Sequence, residues 1–174
     1  MKTCSFFGHR NTAKTEELKR RVWETVERLI TEEGVDVFLF GSRSCFDDLC
    51  LSVVTQLQSK YPNVKRIYVR SQYAYVSDFY KKYLLQEYDD TFMPSRVENA
   101  GRASYVERNQ GMIDKSDVCV FYYNPEYLPP MRKESKRSVS AYQPKSGTKL
   151  AFEYANQRKG AGSAITIINI YEDL

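Results

Sequence analysis

Histidine is nearly absent from this chain: His9 is the only one in 174 residues. Four cysteines are present (Cys4, Cys45, Cys50 and Cys119), and no two of them form a Cys-x-x-Cys pair. The ligand spacing of a structural zinc site is therefore missing, and neither a metal nor a cofactor is expected. Cys4 and Cys119 lie inside apolar strand patterns and are expected to be buried and reduced. Missing too is any apolar run near the roughly 18 residues of a membrane span, so no membrane partner is expected. No secretory leader is visible, because the N-terminus runs straight into a strand pattern. The expected compartment is the cytoplasm. Strong charge is also lacking. A net charge of +4 suits an anionic ligand without demanding nucleic acid.

What the chain does have is a regular alternation of strand and helix. Its length favours one domain with a sizeable core. Strands are expected at residues 3–7, 35–40, 65–70, 91–94, 117–123 and 164–170. Between them, Leu18, Val22, Val26, Leu29 and Ile30 recur at helical spacing, with Gly34 as a stop signal. Phe46, Leu49, Cys50, Val53, Val54 and Leu57 mark a second amphipathic helix. Further helices are expected over 77–88, from Ser104 to about Lys115, and over 148–158. Ser104 and Glu107 have the spacing of a capping box. This alternation predicts an α/β fold of a single domain, a Rossmann-like parallel or mostly parallel sheet with helices on both faces. A long polar loop is expected from Asn124 to Lys145, with Arg132, Lys133, Lys136, Arg137 and Lys145 available to an anion.

Chemistry concentrates in the turns. Phe38-Leu39-Phe40-Gly41-Ser42-Arg43-Ser44-Cys45-Phe46-Asp47-Asp48 reads as a buried strand that stops at a glycine and enters a helix through small polar residues. Unpaired N–H groups at a helix start point at whatever sits there. Gly8-His9-Arg10 closes the first strand, and Ser146-Gly147-Thr148 opens the last helix. In an open parallel sheet, ligands bind beyond the carboxyl ends of the strands. Arg10 and Arg43 suit a phosphate. Asp47 and Asp48 suit a sugar hydroxyl or a base, and one of the two is expected to act as helix N-cap. Arg108 and Asn109 complete the set on the 104–115 helix. The expected arrangement is a phosphate near Gly147 and a sugar near Asp47.

The segments Cys4–Arg10, Gly41–Asp47, Glu107-Arg108-Asn109 with Met112–Asp117, and Ser146-Gly147-Thr148 with Ala151 and Tyr154-Ala155 together resemble the SLOG superfamily, and within it a bacterial branch of small stand-alone proteins. The resemblance covers nearly the whole chain in the right order. It implies a Rossmann-like fold and a nucleotide or nucleotide-derived ligand at the strand ends. Relatives in that superfamily include the cytokinin-activating phosphoribohydrolases and the DNA-processing protein that loads single strands in transformation. Two departures stand out. The glycine-rich second turn of many members, Gly-Gly-Ala-Leu-Gly-x-Asp, is Gly41-Ser42-Arg43-Ser44-Cys45-Phe46-Asp47 here. The phosphoribohydrolase pattern Pro-Gly-Gly-x-Gly-Thr-x-x-Glu ends on Ala151 here, and Glu153 is expected to point away from the site.

Three functions follow as expectations. The first is binding, sensing or sequestering of a nucleotide-derived, ADP-ribose-like small molecule. The second is hydrolysis of an N-glycosidic bond in a nucleoside phosphate, which needs a carboxylate; Asp47 is the candidate catalytic residue. The third and weakest is single-strand nucleic-acid binding through the aromatics of 71–88 and the basic loop, which the interspersed acids Asp78, Glu87, Asp89 and Asp90 oppose. A homo-oligomer is expected if the aromatic region buries an interface.

Overall fold

In the computed structural model, residues 1–73, 75–129 and 145–173 are described. Six strands form one sheet: β1 (Lys2–Gly8), β2 (Val35–Phe40), β3 (Lys65–Val69), β4 (Asp90–Phe92), β5 (Val118–Tyr122) and β6 (Thr166–Asn169). Their order is β4-β3-β2-β1-β5-β6, and every pairing is parallel. The helices are α1 (Glu16–Thr31), α2 (Cys45–Gln58), α3 (Asp78–Leu84), α4 (Ser104–Asp114) and α5 (Gly147–Gly160). This is the Rossmann-like α/β arrangement. Sheet order reverses direction between β1 and β5, so the crevice of such a sheet falls at their carboxyl ends.

The central strands are apolar on both faces because helices cover both. Alternation along each strand splits the core in two. Cys4, Phe6, Phe38, Phe40, Val118 and Val120 pack against α1 and α2. Phe7, Val37, Leu39, Cys119 and Phe121 pack with Met112 and Ile113 of α4 and Ala151 and Ala155 of α5. Phe6 stacks on Phe40 at 5.3 Å, and Phe7 on Phe121 at 5.0 Å. These layers fix where every strand ends and where α2, α4 and α5 begin.

Two local expectations fail in the helices after β3. Ser104 is not an N-cap: a 3-10 turn, Gly101–Ala103, runs directly into α4, and Ser104 already has helical dihedrals. No extended residue is left from which a side chain can cap. Glu107 instead accepts from Arg96 Nε at 2.7 Å, where an opposite charge holds it. The 77–88 helix is also shorter than expected, since α3 stops at Leu84 and the chain turns into β4. Among the described residues, no helix is long and apolar enough to cross a membrane.

Candidate ligand site at the carboxyl edge of the sheet

The ends of β1, β2 and β5 and the starts of α2, α4 and α5 share one edge of the sheet. His9, just past β1, is buried. Its Nε2 accepts the N–H of Asn124 beyond β5 at 2.9 Å, and its ring stacks on Tyr127 at 4.0 Å. A nitrogen that accepts leaves the ring proton on Nδ1, and Nδ1 is buried without a partner among the described residues. Burial holds this imidazole below its ordinary pKa. His9 is thus a neutral pin joining the β1 and β5 ends. The Arg10 side chain is exposed, while its carbonyl accepts the N–H of Cys45 at the start of α2 at 3.0 Å.

The turn between β2 and α2 closes on itself. Ser44 is the N-cap, not Asp47 or Asp48 as expected: its hydroxyl accepts the Asp47 N–H at 3.0 Å and donates to Asp47 Oδ2 at 2.5 Å. A shorter-chained hydroxyl reaches that N–H, which leaves Asp47 three residues inside the helix. Ser42 donates to the same Oδ2 at 2.5 Å and accepts the Ser44 N–H at 3.3 Å. Asp47 Oδ1 is buried and unpartnered among the described residues. Burial pushes the Asp47 pKa up to about 6, against the two seryl bonds that lower it. Asp48 is exposed, 4.0 Å from Lys14. Arg43 is also exposed; it pairs with Glu87 at 3.2 Å and lies over Tyr83.

The three glycines at this edge differ in what they make room for. A Cβ on Gly8 would stand 2.4 Å from the Phe46 Cβ, so that glycine admits the first turn of α2. On Gly41 it would stand 2.6 Å from Met112 Sδ and 2.8 Å from Arg108 Nε. Only the Gly147 position meets nothing described within 4 Å. There Ser146 caps α5 by accepting the Lys149 N–H at 3.0 Å, Gly147 is exposed and Thr148 is buried. Glu153 is exposed and holds Lys145 at 2.9 Å, whereas Ala151 is buried in the core. Arg132, Lys133, Lys136 and Arg137 lie outside the described residues.

Arg108 is only 4% exposed. Its Nη1 donates to the Gly41 carbonyl, and Nε and Nη2 donate to Asn109 Oδ1 at 3.3 and 3.2 Å. Its guanidinium lies over the Tyr105 ring at 5.4 Å. Just past the end of β3, Arg70 is 8% exposed. Arg70 Nη1 donates to the Tyr73 carbonyl, and Nε is buried with no partner among the described residues. Burial lowers the pKa of both arginines. Neither forms a salt bridge among the described residues, whereas the more exposed Arg43, Arg66 and Arg96 each do. Buried charges are ordinarily paired, so two unpaired guanidinium groups mark this part of the edge.

Arg70 opens into a cleft of about 550 Å³ whose walls include Tyr68, Ser71, Tyr80 and Tyr105. Sequence reasoning missed Arg70, Tyr68 and Tyr105 as site residues. Two signals were present. Tyr68 and Arg70 share a side of the chain by the two-residue period of a strand. Tyr105 and Arg108 share a face of α4 by the spacing of three. A second hollow of about 560 Å³, between α2 and residues 86–88, contains Arg43 and Arg66. Both of those are already ion-paired, to Glu87 and Asp89.

A six-stranded parallel sheet with its direction switch at β1 and β5 and helices on both faces defines a Rossmann-like α/β protein. The chain belongs to the YspA SLOG family, whose model matches residues 4–152. Among curated proteins none matches it.

Proposed function

We propose that this protein binds an anionic, nucleotide-derived small molecule at the carboxyl edge, beside Arg108 and Arg70. One observation carries the reading: the two most buried arginines of the described chain lie at that edge without a carboxylate partner. The buried acid whose charge couples to Arg108 is Asp47, itself tied to two serines; at neutral pH it offsets one of the two positive charges. The edge therefore carries surplus positive charge in a low-dielectric setting, where a phosphoryl group gains more than it does in water. Membership of the SLOG family supports a nucleotide or a derivative as that anion. The start of α5, where the Gly147 position meets no described atom within 4 Å, supplies further N–H donors along the same edge.

Hydrolysis is the weaker reading. Asp47, its best carboxylate, is 3% exposed, with Oδ2 engaged by Ser42 and Ser44. Binding without turnover is accordingly preferred.

Thermal shift against nucleoside monophosphates, nucleoside diphosphates, ADP-ribose and inorganic phosphate tests the proposal. A ligand at 100 times its Kd adds about 2.7 kcal/mol to stability. Arg70→Gln is expected to weaken the best binder by about tenfold or more, as removal of a charge-assisted hydrogen bond does. Arg43→Gln, whose partner is Glu87, is the control and is expected to leave binding unchanged. If no nucleotide binds, or if both variants bind like the parent, the proposal is wrong.

A further inference from the structure

The cleft beside Arg70 has a composition that the anion reading does not use. Tyr68, Tyr73, Tyr75, Tyr80 and Tyr105 all contribute to it. Tyr73, Tyr75 and Tyr105 are 74%, 80% and 55% exposed, and Tyr80 is 38% exposed. Large aromatic surface gathered in one concave place is uncommon on a monomer and marks a binding surface. The volume of about 550 Å³ falls within the roughly 300–1,000 Å³ of small-molecule sites. Tyrosines give a ligand flat, rigid faces at low entropic cost. The polar end of the cleft is also fixed: Arg70 is buried there with Nε unpartnered among the described residues. Tyr105 joins the cleft to the rest of the edge, because the Arg108 guanidinium lies over its ring and Gln72 Nε2 donates to its hydroxyl at 3.3 Å.

Resting on the anion reading above, we propose that the cleft receives the planar heteroaromatic ring of the ligand, stacked on Tyr80 and Tyr105, with the phosphoryl group at Arg70. A ring stacked on tyrosine is held by its π-face, which every nucleobase has. Purines and pyrimidines are therefore both accepted, the purine more tightly through its larger area. Sugar phosphates lacking a base keep the anion contact and lose the rest.

Calorimetry on the full chain with AMP, UMP, adenosine and ribose 5-phosphate tests this, using Tyr80→Leu and Tyr105→Leu. Leucine keeps bulk and removes the ring, so the two exposed sites are expected to fold; an unshifted melting curve checks it. AMP is expected to bind the parent at least tenfold more tightly than ribose 5-phosphate. Each variant is expected to weaken AMP by about five- to 150-fold, the effect of deleting one stacking platform, and to leave ribose 5-phosphate unchanged. If AMP and ribose 5-phosphate bind equally, and both variants match the parent, the ring proposal is overturned and the anion reading stands. If adenosine binds as tightly as AMP and is lost in both variants, the ring proposal stands and the anion reading falls. If none of the four binds at millimolar concentration, both fall.

Discussion

Helices α2 and α5 begin in the same way and end up with opposite properties. Each starts from a serine N-cap, Ser44 or Ser146, whose hydroxyl accepts the N–H three residues on. Each follows a strand of the central sheet and sits at its carboxyl edge. At α2 the remaining space is filled: the Arg10 carbonyl takes the Cys45 N–H, Asp47 folds back onto Ser42 and Ser44, and Phe46 packs over Gly8. At α5 the Gly147 position faces no described atom within 4 Å. The difference teaches that a small-residue turn before a helix announces a helix start, and that only its neighbours decide whether a ligand can use it. In this protein the turn with the stronger sequence signal is the closed one.

The largest expected effect tests closure against openness directly. Gly8→Ala places a Cβ 2.4 Å from the Phe46 Cβ, and Phe46 is fully buried on α2. Neither backbone nor helix can yield cheaply. A loss of about 3 kcal/mol is expected, at the upper end of overpacking penalties. Gly147→Ala meets no described atom within 4 Å, and its φ is not left-handed. That variant is expected to be unchanged or more stable by up to about 1 kcal/mol, since alanine is the better helix former. Urea unfolding of the pair measures both. Equal destabilisation would mean that the two turns are packed alike.

Next in size is a pH effect confined to the closed turn. Asp47 moves from an ordinary 3.8 to about 6 on folding, because burial penalises its charge. The folded state therefore holds the proton more tightly than the unfolded chain. Its stabilising contribution is complete below about pH 4 and is lost as pH rises through about 6, to a limit of ~3 kcal/mol. His9 slopes the other way: its pKa is lowered, so its contribution is present at neutral pH and lost on acidification. Comparison with Asp47→Asn removes the histidine slope, which both proteins share. The difference in unfolding free energy is expected to favour the variant increasingly between pH 4 and 7. A difference that stays flat over that window would show that Asp47 is not desolvated.

The fold was readable because its signals are periodic and local. Leu18, Val22, Val26 and Leu29 mark one face of α1, and all four are buried. The strand Val35–Phe40 is apolar because two helix layers cover it. The resemblance to the SLOG superfamily was equally readable, since its motifs run through the chain in order. The site was less so. Asp47 reads as a ligand group or a cap in sequence, and it became an internal brace because Ser44 reached the N–H first. Ser104 and Glu107 have the capping-box spacing, but a 3-10 turn upstream removed the geometry the box needs. Arg108 reads in sequence as a ligand-binding candidate on a helix, but nothing local says that it is buried. Its burial depends on Gly41, distant in sequence, leaving space beside the β2 end. Contacts of that kind are set by sheet order, and no local pattern encodes them.

The smallest expected difference separates the two caps themselves. Ser146→Ala removes one bond, from the Lys149 N–H, at a part-buried helix end. A loss of about 0.5–1 kcal/mol is expected, the lower range for an N-cap serine. Ser44→Ala removes the same bond and also one of the two hydroxyls on Asp47 Oδ2. Water cannot readily replace that hydroxyl, because Asp47 is 3% exposed. The expected loss is therefore about 2 kcal/mol at pH 7, the cap plus part of a buried carboxylate's satisfaction. In an Asp47→Asn background the extra part involves a neutral acceptor, and the Ser44→Ala cost is expected to shrink toward that of Ser146→Ala. A double-mutant cycle over Ser44 and Asp47 reads this coupling without reference to the rest of the chain. A coupling near zero would mean that the α2 turn is closed by packing alone, with Phe46 over Gly8, and that the serines act only as helix caps.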